Sequence, residues 1–313
     1  MNRRKAFLTA SFLTLVFGAA PATIWIFRHR YSQGKRPSSD LSLATAQVVS
    51  AAEQRADYGA SLDKIFTKEN RLSYHGYVIE KAKVPGDEVW LATLKKGNKV
   101  LVKFESGGEY DYWTNFGLFS FLGTDAKQLV VEQYSGGAHC CYSNWIYDLG
   151  QSPRLVFNNE KYGTGSALRP VDLDSDRVFE LTQSVMAFDY FHLSHAASVF
   201  PEAVFAYDPK AGEYRPANRR FSAHVLRDLE SDIKALEKLK AAGSEKDEFY
   251  SESYFSGVLG VTLKYIYAGN REEGWSFFDK EYRTHEGISK EKMRAEINQT
   301  LEGEPVYNSI YPK

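Results

Sequence analysis

The stretch that decides the fold class is VWLATLKKGNKVLVKF, residues 89–104. Two runs rich in β-branched and other apolar residues flank Lys96-Gly97-Asn98, and runs of this composition are typical of strands. Glycine and asparagine favour the backbone conformations that tight hairpin turns require. This stretch therefore predicts two antiparallel strands joined by a short turn.

Similar runs lie at regular spacing on both sides of this hairpin, with no helical pattern between them. They cover residues 77–79, 128–132, 145–147, 154–157, 178–185 and 203–207. Short, regularly spaced strands predict antiparallel sheet. A closed propeller needs at least about four blades of four strands, and these runs supply only about two or three. We therefore expect an α+β protein whose β-rich domain is propeller-blade-like or sandwich-like and not a full ring.

After Phe221 the apolar residues recur with the helical period of about 3.6 residues. We expect Ser222 to cap the first helix and Gly243 to end it. Further helices are expected over residues 245–268, 271–282 and 289–301. The chain thus divides into a β-rich domain, residues 43–221, which begins with a short helical part, and a C-terminal helical region, residues 222–313. The helical region offers a surface for a protein partner.

The N-terminus has the pattern of a membrane segment. Residues 2–5 (NRRK) are mostly basic, and the uncharged run after them begins at Ala6 and ends at Phe27. At about 1.5 Å per helical residue, such a run crosses a hydrocarbon core of about 30 Å. We interpret residues 1–30 as a signal-anchor or transmembrane segment, and residues 31–42 as a polar linker.

A second interpretation of the same segment is a cleaved signal peptide. Residues 20–22 (APA) match a small-residue cleavage site, and cleavage there would release a secreted protein. An uncleaved anchor accounts better for residues 24–27 (IWIF), because they complete the apolar span. Basic residues flank both ends, so the charge distribution does not decide the sidedness. Since a single N-terminal span usually directs export of the chain beyond it, we expect a single-pass membrane protein with its domain outside the cytoplasm.

The overall charge excludes one class of function. The 313 residues include 39 Lys and Arg and 40 Asp and Glu, which gives a net charge of −1. Nucleic-acid-binding proteins usually carry a strongly basic surface. We therefore expect no nucleic-acid partner, and the predicted partners are the membrane and a protein that contacts the C-terminal helices.

The sharpest local motif is an acidic loop, VDLDSDRVFEL, residues 171–181. Asp172, Asp174, Asp176 and Glu180 offer carboxylates at a spacing that lets them converge on one hard cation, and Ca²⁺ prefers about six to eight oxygen ligands. The loop is not an EF-hand, because arginine replaces the glycine that the EF-hand turn requires. The alternative is a solvated turn that satisfies its own backbone amides, with Arg177 paired to the carboxylates.

The only two cysteines of the chain are adjacent, and a histidine precedes them. His139, Cys140 and Cys141 are weak catalytic candidates for a thiol- or metal-dependent envelope enzyme. A bridge between neighbouring cysteines would be strained and easily reduced, which permits a redox role. The alternatives are two buried small residues or a purely structural bridge. Because no nucleophile–base motif accompanies them, the sequence leaves catalysis undecided and favours a non-enzymatic protein.

His192 and His195 form a second candidate group, with Asp189 nearby. The spacing His-x-x-His with an acid occurs in metal sites when the residues share one face of a helix. This stretch has the pattern of a loop, so we favour packing among the surrounding aromatic residues.

Residues 135–141 (SGGAHCC) precede a strand and then the acidic loop. In this respect the chain resembles bacterial exported proteins of unknown function that combine a GGAHCC stretch with a calcium loop of the FG-GAP, integrin-like type. The resemblance covers about residues 128–221, and Ser175 and Arg177 stand where that family usually has glycine. It implies export, a β-rich fold and Ca²⁺ as a possible cofactor at the acidic loop. We therefore expect a membrane-anchored envelope protein that serves as a non-enzymatic binding or structural module.

Overall fold

The computed structural model describes residues 66–84, 90–105, 113–135, 141–242 and 248–313, all within one compact unit. The expected membrane segment and linker lie outside these ranges. So does nearly all of the helical part that we expect at the start of the β-rich domain. Within the described ranges, no helix is long and apolar enough to cross a membrane.

The β-strands in the described ranges form three antiparallel sheets of four strands each. The first sheet contains β1 (Arg71–Tyr74), β2 (Tyr77–Lys83), β3 (Trp90–Lys96) and β4 (Lys99–Glu105). The second contains β5 (Trp113–Phe119), β6 (Gln128–Tyr134), β7 (Tyr142–Leu149) and β8 (Pro153–Asn158). The third contains β9 (Arg169–Val171), β10 (Glu180–Ser184), β11 (Glu202–Asp208) and β12 (Glu213–Pro216). In each sheet the strands pair in chain order, so the expected antiparallel sheets are confirmed.

The hairpin that residues 89–104 predict is present as β3 and β4. Lys96 pairs with Lys99 across the turn. Gly97 has a φ of 57°, in the left-handed region that a side chain disfavours. The turn residues thus set the register of this strand pair.

The second sheet is buried on both of its faces. Side chains alternate between the two faces of a strand, and in β6 Val130 joins one hydrophobic core whereas Leu129 and Val131 join another. All three are at most 1% exposed. The second sheet is therefore the middle layer, between the first sheet on one side and the core of the third sheet and helices on the other.

The chain after Phe221 is helical, as the sequence predicts. The helices are α1 (Ser222–Val225), α2 (Leu229–Ala242), α3 (Glu248–Tyr267), α4 (Arg271–Glu281), α5 (Lys290–Glu302) and α6 (Pro305–Ile310). The expected single helix after Ser222 is instead two, because the chain turns between α1 and α2. Phe221 occupies the cap position of α1 without a side-chain hydrogen bond, so the expectation for Ser222 is wrong. Ser289 does cap α5, where its side chain accepts a hydrogen bond from the Lys292 amide at 3.3 Å.

The helices complete the core of the third sheet. Leu181 and Phe205 from the sheet and Leu259 and Leu263 from α3 are fully buried in one cluster. Gly274 lets α4 approach α3 closely, since a side chain there would lie 2.9 Å from the Thr262 carbonyl oxygen. The β-rich region and the helical region therefore share one continuous hydrophobic core.

Candidate functional site

The acidic loop connects β9 to β10 at one end of the third sheet. Val178 forms an antiparallel bridge with Leu122, and the Phe179 amide donates a hydrogen bond to the Phe121 carbonyl at 2.8 Å. These contacts tie the loop to the chain that links β5 to β6. The loop is thus held between the second and third sheets at a fixed position.

Asp172, Asp174 and Asp176 converge within the loop. One carboxylate oxygen from each lies within 4.8 Å of the other two. Two oxygens that bind the same Ca²⁺ at about 2.4 Å lie at most about 4.8 Å apart. The three side chains are therefore close enough to contact one ion of this size, and Ca²⁺ binding at this loop stays a prediction.

The hydrogen bonds within the loop leave one buried oxygen without a partner. The Arg177 amide donates to Asp172 Oδ2 at 3.3 Å, and the Val178 amide donates to Asp176 Oδ1 at 2.7 Å. Asp172 Oδ1 is buried and accepts no hydrogen bond from any described residue. Since leaving a buried charged oxygen unsatisfied costs free energy, the solvated-turn interpretation does not account for this atom.

Glu180 lies beneath the loop and does not join the group of converging carboxylates. Its side chain is 2% exposed and accepts a hydrogen bond from the Leu173 amide at 2.9 Å. Burial raises the pKa of Glu180 to about 7; the Leu173 amide opposes this rise, and the charges of Asp174 and Asp176 add to it. Glu180 thus supports the loop backbone, and its burial is the main cause of its raised pKa.

An arginine does pair with the loop, but not the one that the sequence indicates. Arg220 forms an ion pair with Asp174 Oδ2. Arg177 forms no ion pair with any residue that the structure describes, so the alternative in which Arg177 pairs with the carboxylates is wrong. Arg220 lies 46 positions along the chain from Asp174, and no local pattern marks it as part of the site.

The loop backbone is strained at two positions. Ser175 has a φ of 63° and Arg177 a φ of 72°, both in the left-handed region. Residues other than glycine adopt this region at a cost of about 1–2 kcal/mol. Both positions lie within the turn that carries the three acidic side chains, and strained backbone is concentrated at functional sites in proteins generally.

Of the three catalytic candidates, only Cys141 lies within the described residues; His139 and Cys140 fall outside them. Cys141 takes part in a disulfide bond. Its amide donates to Ser135 Oγ at 2.7 Å, and its carbonyl accepts from the Ser135 amide at 3.1 Å. A side chain at Gly165 would lie 3.5 Å from Cys141 Sγ. Cys141 is therefore fixed at the start of β7 in an oxidised state.

His192 and His195 face different partners. His192 lies between two carboxylates, with Nδ1 3.1 Å from Glu286 and Nε2 2.7 Å from Glu296. His195 Nδ1 lies 2.7 Å from Asp189, and its ring is 5.7 Å from the ring of Phe200. The two histidines do not converge on one point, which agrees with packing rather than a shared metal.

A buried cluster that the sequence does not reveal lies between the second and third sheets. We call it the amide network, and it consists of Glu132, Asn144, Asn159 and Gln183, each at most 4% exposed. Asn144 Nδ2 donates to Glu132 at 3.0 Å, Asn144 Oδ1 accepts from Gln183 at 2.8 Å, and the Asn144 amide donates to Asn159 at 2.7 Å. These bonds join strands of two sheets.

Comparison with known proteins adds no relative to this chain. No protein-family model matches it, and neither a curated protein nor a solved structure does. The interpretation of the site therefore rests on its geometry.

Proposed function

We propose that the acidic loop binds a single Ca²⁺ ion that stabilises an extracytoplasmic binding or structural module. The observation that carries this proposal is the buried Asp172 Oδ1 without a hydrogen-bond partner, beside two further carboxylates that lie within 4.8 Å. Ca²⁺ prefers carboxylate and carbonyl oxygens, and a bound cation would satisfy this oxygen and offset the charges of Asp174 and Asp176.

The residues have distinct roles in this proposal. Asp172, Asp174 and Asp176 supply the ligand oxygens, and Glu180 holds the Leu173 amide beneath them. Arg220 competes with the cation for Asp174, because a carboxylate oxygen paired with a guanidinium is less available to a metal. Ion binding therefore requires that Arg220 release Asp174, and we expect a weak site of the kind found in extracellular modules.

The sheet topology supports a propeller-blade-like rather than a sandwich-like arrangement. Each sheet is a meander of four strands in chain order, which is the organisation of a propeller blade. The middle sheet is covered on both faces, as in stacked blades. We infer an open array of three blade-like sheets whose last member packs on the C-terminal helices.

Two features support a location outside the cytoplasm. The apolar run from Ala6 to Phe27 is long enough to anchor the chain in a membrane, and cleavage after Ala22 would release the same domain as a secreted protein. Cys141 is disulfide-bonded, and disulfides persist mainly in oxidising compartments. The C-terminal helices are the surface that we assign to a protein partner.

The alternative function is a thiol- or metal-dependent envelope enzyme acting at His139, Cys140 and Cys141, and a cysteine acts as nucleophile or metal ligand only as a free thiolate. The disulfide at Cys141 leaves that residue without a thiol. Such an enzyme would act only after the bond is reduced, so we place the non-enzymatic function first.

The test is thermal unfolding of the full chain, solubilised in a mild detergent, with EDTA or with excess Ca²⁺. At a free concentration 100 times the dissociation constant, one site adds about 2.7 kcal/mol to the free energy of unfolding. We expect Ca²⁺ to raise the melting temperature of the wild type, and Asp174→Asn to abolish that rise.

Asp208→Asn is the matched control, because Asp208 also accepts amide hydrogen bonds in a turn and also pairs with an arginine, Arg215. This variant should keep the full response to Ca²⁺. A wild-type melting temperature that is the same in EDTA and in Ca²⁺ would contradict the proposal, as would a response that survives in Asp174→Asn.

A further inference from the structure

A cavity of about 550 Å³ lies where the third sheet meets α1, α2 and α3. It is at the end of the sheet opposite the acidic loop, because β9 runs from Arg169 at the cavity to Val171 at the loop. Pockets for small ligands usually have volumes of about 300–1,000 Å³. The cavity is therefore large enough for a small organic molecule.

The walls of the cavity are about half apolar and half polar. Leu236 and Leu239 line it from α2, Val261 lines it from α3, and Val199 and Phe200 line it from the chain that leads into β11. Apolar walls of this kind stabilise a ligand by removing its apolar surface from water.

Five charged residues also line the cavity, and four of them neutralise one another. Arg227 contacts both carboxylate oxygens of Glu202, at 2.5 and 3.3 Å. Lys264 pairs with Asp232. The fifth is Arg169, whose side chain forms no ion pair or hydrogen bond with any residue that the structure describes. Arg169 is exposed to solvent, and it is the one positive charge of the lining without a counter-charge from the described residues.

We propose that this cavity binds a small organic anion, with its carboxylate paired to Arg169 and its apolar body against α2 and α3. The guanidinium group offers two parallel donors that match the two oxygens of a carboxylate. A neutral apolar ligand would form no such pair with Arg169. This inference does not depend on the metal proposal, since the two sites lie at opposite ends of the third sheet.

Gly260 provides a way to close the cavity without disturbing the fold. It lies on α3 and lines the cavity, and a methyl group added there would meet only Val199, at 3.9 Å. That distance is ordinary van der Waals contact, and alanine favours helix more than glycine does. Gly257, one turn earlier, differs, because a methyl group there would lie 2.9 Å from Leu236.

The experiment is isothermal titration calorimetry on the full chain in lipid nanodiscs, in EDTA so that the acidic loop is metal-free. Two carboxylates are titrated separately: diphenylacetate, with a rigid aromatic body, and decanoate, with a flexible acyl chain. Their neutral amides serve as ligand controls, and nanodiscs without protein give the blank. We expect at least one acid to bind, and to bind at least about tenfold more tightly than its amide, because a charge-assisted pair is the stronger interaction.

Three variants test how the affinity depends on the charge of Arg169, on the shape of the cavity and, as a control, on a charge outside the cavity. Arg169→Gln should reduce the affinity for the acid about tenfold and leave the affinity for the amide unchanged. Gly260→Leu should reduce the affinity for both, and its melting temperature is measured to show that the variant still folds. Arg215→Gln, which removes a positive charge from β12 outside the cavity lining, should change neither affinity.

The acid that binds identifies the source of the ligand: decanoate indicates an acyl chain, and diphenylacetate an aromatic acid. The proposal is overturned if neither acid binds, if the amides bind as tightly as the acids, or if Gly260→Leu folds normally and still binds like the wild type. Because EDTA is present throughout, a failure here is distinct from a failure of the calcium proposal.

Discussion

The acidic loop and the amide network lie at different ends of β10, and they differ in whether their buried polar atoms have hydrogen-bond partners. In the amide network, Asn144 uses both its side-chain atoms and its backbone amide, and its side chain is fully buried. In the acidic loop, two backbone positions have positive φ, and a buried oxygen of Asp172 has no partner among the described residues.

This difference shows which polar cluster serves the fold and which is available for a ligand. A buried group with all its hydrogen bonds formed stabilises one structure. A buried group with an unmet bond is costly unless something external completes it. Both clusters are polar, so polarity alone does not distinguish them. They differ in whether every buried polar atom forms a hydrogen bond.

The largest effect is expected for Asn144→Ala. The substitution removes a partner from Glu132 and another from Gln183, and both remain buried. We expect a loss of about 3 kcal/mol in the free energy of unfolding, measured by urea denaturation. Asn308→Ala is the control, because Asn308 is more exposed and its side chain donates to one carbonyl, that of Glu302. If both variants lose the same small amount, the amide network does not stabilise the fold in this way.

A smaller effect is expected at Glu202, which tests whether a charged group stabilises the fold when its partners are present. Glu202 is a charged group with its partners in place, Arg227 and His224. Burial alone would raise the pKa of Glu202, but the interactions with His224 and Arg227 outweigh it and hold the pKa below its usual value. Glu202→Gln should therefore cost about 1–2 kcal/mol at neutral pH.

The pH dependence follows from the direction of that shift. Because the folded-state pKa is depressed, the ionised Glu202 contributes its full stabilisation above about pH 4.5 and loses it as the pH falls through the folded-state value. The difference in stability between wild type and Glu202→Gln should shrink over this acidic range, as measured by urea denaturation at several pH values. Glu237→Gln, an exposed control on α2, should match the wild type at each pH. A difference that stays constant down to about pH 3 would rule out this account.

The smallest effect tests the strain in the acidic loop. Arg177→Gly should raise the stability in EDTA by about 1 kcal/mol, because glycine adopts a positive φ without the steric cost. Arg177→Ala removes the same charge and keeps the strain, so it should leave the stability unchanged. Thermal unfolding of the two variants is compared side by side: equal melting temperatures would mean that the loop is not strained at this residue.

The sequence predicts the fold where the pattern is local and strong. Residues 128–132 contain three consecutive apolar residues, 129–131 (LVV), which predict a strand, and this stretch lies in β6. The strand β5 is not expected, because Asn115 and Gly117 interrupt its apolar residues and both are unfavourable in strands. The strands β9 and β12 are also not expected from the sequence, because both are short and contain proline, which is unfavourable in strands.

The residues of the candidate site likewise form two groups: those that the sequence reveals and those that only the structure reveals. Asp172, Asp174 and Asp176 are found from the sequence because they lie within five residues of one another. Arg220 and the partners of Asn144 come from distant parts of the chain, and only the pairing of the sheets brings them together. The charge balance of the cavity is likewise a property of the packed helices and not of any sequence window.

The shared core of the third sheet and the helices has a consequence for synthesis. The third sheet ends at Pro216, and α5 and α6, which contribute Ile297 and Ile310 to its core, are the last helices of the chain. Ribosomes extend a chain by about 5–20 residues per second, so these helices emerge after the sheet by roughly 5–20 s. During that interval the core of the third sheet lacks the apolar side chains that α5 and α6 contribute to it.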